Sequence, residues 1–114
     1  MGLRFRKNVR TILGRPDIVF PKQRVAVFVD GDYWHGRILQ QSGIDALKAS
    51  LKTPNREFWV RKIRQNVARD FLVCGELAQA GWLVVRVWET DVRRTPDVVA
   101  KRVFEAVSTL KERT

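Results

Sequence analysis

Hydrophobic and polar positions alternate between two kinds of pattern along the chain. Short apolar runs fill residues 17–20 (DIVF) and 25–29 (VAVFV), separated only by the turn PKQR. Such runs, bounded by turn residues, predict two strands of one hairpin. Both are apolar on two faces, which places them centrally in a sheet. Residues 3–9 can add an edge strand, and residues 82–88 (WLVVRVW) form another apolar run of strand length. Between these runs the period changes. Trp59, Ile63, Val67, Val73 and Leu77 fall at helical spacing and predict one long helix over 55–80, with Thr53 or Asn55 capping its start and Gly81 ending it. Thr95 followed by Pro96 opens a last helix carrying Val99, Val103, Val107 and Leu110. Residues 36–54 are mixed, and Ile44, Leu47 and Leu51 predict one short helix there. The order is β-β-β-α-β-α, an α/β sandwich in which helices flank a small mixed β-sheet.

The hairpin has a chemical consequence. If PKQR is the turn, Phe20 pairs near Val25 and Asp17 lies opposite Phe28, within two residues of Asp30. Side chains alternate along a strand, so Asp17 and Asp30 can share a face. They are either solvated acids at a strand end or a site for a hard divalent cation, with the carbonyl of Val29 as a third oxygen. The segment DGDYWH, residues 30–35, then sets two acids, two large aromatic residues and the only histidine of the chain side by side. Next to a metal carboxylate, His35 is suited to take a proton from an attacking water. On the long helix Lys62, Asn66 and Asp70 recur every four residues at the border of the apolar stripe. Asp70 either pairs with a neighbouring cation such as Arg69 or holds the His35 imidazole in one tautomer. Tyr33, Trp34 and Trp59 lie in polar surroundings and are candidates to stack on or wedge between bases. Trp82 and Trp88 border an apolar strand and read as core.

Composition narrows the partners. With 114 residues, 45% of them hydrophobic, the chain is long enough for one core and is read as a single domain, 1–114. Its 22 Lys and Arg against 12 Asp and Glu leave a net charge of +10, which favours polyanions. Residues 1–24 carry Arg4, Arg6, Lys7, Arg10, Arg15, Lys22 and Arg24 but only one acid, Asp17. Arg4, Arg15, Lys62 and Arg69 are candidate phosphate contacts. No apolar run approaches the roughly 18 residues that span a bilayer, and the N-terminal arginines break up any signal sequence, so a cytoplasmic monomer with no membrane partner is expected. Cys74 is the only cysteine; it excludes an internal disulfide and reads as a packing residue.

Four consecutive segments, GRPDIVF, VAVFVDGDYWHG, REFWVRKIRQNVARD and GWLVVRVWE, resemble the very short patch repair (Vsr) endonucleases, over about residues 3–89. The resemblance implies a restriction endonuclease-like fold, Mg²⁺ as cofactor, and nicking of double-stranded DNA beside the T of a T:G mismatch, in the bacterial nucleoid alongside mismatch repair proteins. Position by position, it implies Asp17 as principal metal carboxylate, His35 as catalytic histidine, Asp70 as its carboxylate partner, and Tyr33, Trp34 and Trp59 as the aromatic wedge. The chain also departs from the family pattern. Val29-Asp30-Gly31 stands where the founding motif reads Thr-His-Gly, which keeps the metal carbonyl and replaces a histidine by Asp30, a further candidate for the metal and the catalysis. The stretches that hold the family's structural zinc read GRIL and Thr90 here, so no structural zinc is expected. Family members carry an N-terminal helix ahead of the first strand, and the expectation is of a relative shortened there. Two other readings stay open: a DNA-binding relative that does not cut, and a restriction-like or defence nuclease of the same fold.

Overall fold

A computed structural model describes residues 5–113 of the chain, with side chains described as far as Ser108. Leu3 and Arg4, and the side chain of Leu110, lie outside the described residues. Four strands, β1 (Arg6–Lys7), β2 (Ile18–Phe20), β3 (Val25–Asp30) and β4 (Leu83–Trp88), form one sheet in the order β1-β2-β3-β4. β1 and β2 pair antiparallel, as do β2 and β3, while β4 runs parallel to β3. The hairpin register is the one that the PKQR turn implies, with Phe20 opposite Val25 and Ile18 opposite Val27. The doubly apolar β2 and β3 are the two inner strands.

Alternation along β3 divides the core. Val25 and Val27 pack with Phe20, Val85, Val87 and Val107 on one face, the face covered by α5 (Pro96–Arg113). Ala26 and Phe28 pack on the other with Leu77 and Val73 of the long helix α3 (Arg56–Gln79). A third cluster of Leu47, Leu51, Val60, Ile63 and Val67 seats the short helices against α3. The result is a three-layered α/β sandwich around a small mixed sheet, the restriction endonuclease-like architecture of the expected family.

Three local differences have physical causes. The edge strand, expected over 3–9, is Arg6–Lys7 among the described residues 5–9, and it ends where Asn8 turns out of extended backbone at φ 52°. The single helix expected over 36–54 is two, α1 (Arg37–Ser42) and α2 (Ile44–Ser50), because Gly43 at φ 90° breaks the helical path between them. An unanticipated helix, α4 (Glu89–Arg94), follows β4 directly; it is six residues long and has no buried residue, so no apolar period announces it. The long helix begins after Asn55 and is followed by Gly81 at φ 91°, as its sequence implies.

Candidate active site

The carboxyl ends of β3 and β4, the loop after β3 and the middle of α3 meet at one edge of the sheet. Gly36 makes this meeting possible. It adopts φ 65°, and a Cβ there would lie 2.8 Å from side-chain methyls of both Ile63 and Val67. Only glycine allows the loop to approach α3 so closely. The approach is fastened by Asn66, whose side-chain amide donates to the Trp34 carbonyl at 3.0 Å, and by Gln40, which donates to the His35 carbonyl at 2.7 Å.

His35 and Asp70 are thereby joined across 35 positions of sequence. The Nδ1–H of His35 donates to Asp70 Oδ2 at 2.5 Å, with the histidine side chain partly open to solvent and Asp70 mostly buried. Arg69 pairs elsewhere, reaching the Asn66 side chain at 3.5 Å. Asp30 also approaches His35, at 3.7 Å from the same Nδ1, but its closest partner is Arg86, which donates at 2.8 Å. Asp30 is the one buried charged side chain among the described residues. Burial pushes its carboxyl above the usual range, while Arg86 and His35 pull it back.

Asp17 occupies the neighbouring position, just ahead of β2. Its N–H donates to the Val27 carbonyl at 3.0 Å and its carbonyl accepts from Asn8 at 2.8 Å, which ties it to both adjoining strands. Pro16 beside it is fully buried, and Arg15 takes φ 53°, uncommon for a residue with a side chain. Asp17 Oδ2 accepts the Val29 N–H at 2.7 Å, and no donor among the described residues reaches Oδ1. The N–H and C=O of a strand residue point the same way, so the Val29 carbonyl is directed to the Asp17 side as well. A carboxylate oxygen and a carbonyl form an all-oxygen donor set of the kind Mg²⁺ uses when water and substrate phosphate supply its remaining ligands. These donors fit the ion. Among the described residues no three His, Cys, Asp or Glu side chains group to hold a metal, so any such site rests on this sparser set. The hairpin allows Asp30 to share a face with Asp17, and the side-chain contacts that Asp30 makes there are with Arg86 and His35.

The aromatic candidates converge. Tyr33 and Trp34 are 5.3 Å apart, Trp34 and Trp59 5.3 Å, and Tyr33 and Trp59 6.1 Å between ring centroids. Phe58, which sequence reasoning passed over, extends the group at 5.1 Å from Trp59. Tyr33, Trp34 and Phe58 are each about half exposed (45%, 48% and 50%), an unusual density of apolar rings facing water. Lys62, Arg69 and Arg15 are all exposed.

Two further residues went unread. Asp32 accepts from the Thr90 N–H at 3.0 Å and hydroxyl at 2.7 Å, and from Arg37 at 2.9 Å; Arg37 also reaches Asp91 at 3.2 Å and lies over the Trp88 ring. This cluster ties the loop bearing His35 to the start of α4, at the two stretches where the family pattern places zinc ligands. Burial alone would raise the Asp32 carboxyl, but the bonds from Thr90 and Arg37 outweigh it and hold it at about 2. The other is Arg86, a charge in the middle of an apolar strand. Cys74, expected to be a packing residue, is half-buried and accepts from Arg86 Nε at 3.0 Å.

The family described as DNA mismatch endonuclease Vsr matches residues 1–41. The chain is 47% identical over 107 residues to the type II nicking enzyme V.NmeDIP of Neisseria meningitidis serogroup C, covering 94% of this chain and 68% of that protein. It is 37% identical over 107 residues to the type II nicking enzyme V.HpaIIP of Haemophilus parainfluenzae, covering 94% and 72%. It is also 35% identical over 92 residues to the DNA mismatch endonuclease Vsr of Escherichia coli K12, covering 81% of this chain and 54% of that protein.

Proposed function

The chain belongs to the DNA mismatch endonuclease Vsr family, and on that premise we propose that it is a DNA endonuclease that nicks one strand of duplex DNA at T:G mismatches, with Mg²⁺ as cofactor. The observation that carries this reading is the His35–Asp70 pair, set beside an exposed aromatic cluster on a strongly basic chain.

Asp70 accepts the Nδ1 proton of His35, which leaves Nε2 of the neutral imidazole with its lone pair outward. That nitrogen takes the proton of the attacking water, and Asp70 stabilises the imidazolium that results. Asp17 Oδ1 and the Val29 carbonyl would hold the metal, with Asp17 fixed through its other oxygen by the Val29 N–H. Bound there, Mg²⁺ supplies the positive charge that polarises the scissile phosphate and stabilises the leaving oxygen. Tyr33, Trp34, Phe58 and Trp59 present ring faces and edges that wedge against bases, a contact that costs least where the pair is already mismatched. Lys62, Arg69 and Arg15 contact phosphates.

The test is cleavage of end-labelled duplexes, one with a central T:G pair and one fully matched, each with Mg²⁺ or with EDTA. A single nick in the T:G duplex that EDTA abolishes is the expected result. Equal cleavage of both duplexes would move the assignment to a restriction-like or defence nuclease. Binding without any nick would make the chain a DNA-binding relative.

A further inference from the structure

Arg86 interrupts the run VVRVW of β4, where a charge needs a strong reason to be. Its guanidinium lies 4.2 Å from the centre of the Phe28 ring, directly across the parallel pair. From that position Nη1 donates to Asp30 Oδ1 at 2.8 Å, Nε donates to Cys74 Sγ at 3.0 Å, and Nη2 lies 3.8 Å from Asp70 Oδ1. One cation therefore contacts both carboxylates that approach the His35 imidazole.

We propose that Arg86 is a positioning residue for the endonuclease reaction: it holds Asp30 away from His35 Nδ1 and steadies Asp70, so that Asp70 alone orients the imidazole. This role presupposes that His35 is the proton acceptor of the proposed reaction. Two carboxylates compete for one N–H, with Asp70 at 2.5 Å and Asp30 at 3.7 Å. The Asp30 oxygen nearest the imidazole is Oδ1, the same oxygen that Arg86 takes. Without Arg86, a buried Asp30 carboxylate loses its closest cation, repels Asp70 and turns toward the His35 N–H. A purely structural Arg86 would predict something else. Removing one partner of a buried pair costs stability, so a lower melt would then be expected, with the kcat of the folded protein and its His35–Asp70 bond unchanged.

The chain has a single histidine, so one imidazole signal reports on His35 without ambiguity. The experiment compares wild type, Arg86→Met and the double variant Asp30→Asn/Arg86→Met. It reads the His35 Nδ1–H proton signal by nitrogen-15-edited NMR at pH 8 without DNA, kcat and KM on T:G duplex, and the thermal melt. In wild type a single Nδ1–H signal should be seen, moved downfield by its bond to Asp70. Arg86→Met should split or broaden that signal, as the proton is shared between two carboxylates, and lower kcat about 10–100-fold at unchanged KM. Removing the Asp30 charge as well should restore the single signal and most of kcat. A folded Arg86→Met protein with the wild-type signal and kcat would overturn the proposal, and so would a double variant no better than the single. If Arg86→Met does not fold, the double variant decides alone: a folded protein with the wild-type signal supports the proposal, and a split signal or a second failure to fold refutes it. If wild type does not nick DNA, the catalytic assignment fails while the comparison of signals still decides the role of Arg86.

Discussion

Two carboxylate sites lie side by side where β3 ends, and they differ in how much of their bonding the protein itself completes. Around His35, the Nδ1–H goes to Asp70, Asp30 goes to Arg86, and the backbone carbonyls of Trp34 and His35 are taken by Asn66 and Gln40. Around Asp17, one carboxylate oxygen is held by the Val29 N–H and the other meets no donor among the described residues. The first site is finished as folded, as a group that must present one nitrogen in one orientation has to be. The second is rigid but incomplete, as suits a position that takes a ligand from outside the chain. In the proposed enzyme the two divide the labour between proton transfer and charge stabilisation.

That contrast can be broken at several points. Replacing His35 by Ala should cost the most on the finished side, about 10²–10⁴-fold in kcat on T:G duplex, with the dependence on Mg²⁺ unchanged. Asp70→Asn, which keeps the shape but not the charge, should cost about 10–100-fold in kcat in the same assay. Trp34→Ala addresses neither carboxylate site; it should weaken duplex binding by about 1–3 kcal/mol in a fluorescence titration and leave turnover of the bound complex nearly intact. The smallest effect concerns the clamp behind the loop. Asp32 sits at about 2 in the fold against an ordinary value of 3.8, so between pH 4 and 2 the unfolded chain binds the extra proton. Its stabilisation is full above pH 4 and is lost as pH falls toward 2. Asp32→Asn should therefore lower the melting temperature at pH 7, by the equivalent of about 1 kcal/mol, and the difference from wild type should shrink as the solution is acidified through that window.

The legible and illegible parts of the molecule divide along physical lines. β2 and β3 could be read because a short turn fixes their register and both are buried on two faces, which leaves few polar positions to mislead. α3 could be read because its stripe of Trp59, Ile63, Val67, Val73 and Leu77 persists over several turns. α4 could not, since six residues without a buried face carry no period. The His35–Asp70 contact spans the crossover from β3 to β4; the helix spacing leaves it open beside a pairing with Arg69, and the resemblance of the motif set favours it. Arg86 left a readable mark, a cation inside an apolar strand, but its partners Asp30 and Asp70 come from two other elements that no local pattern connects. The partners of Asp30 are illegible for the same reason. Strand alternation assigns it a face, while the choice between a metal and Arg86 depends on what the parallel neighbour presents.

Whether Asp17 and His35 belong to one cutting centre is decided by Asp17→Ala, assayed for nicking of a T:G duplex at saturating Mg²⁺, with binding of the same duplex measured in parallel. The variant should bind the duplex and leave it uncut. Nicking at the wild-type rate would contradict a shared centre.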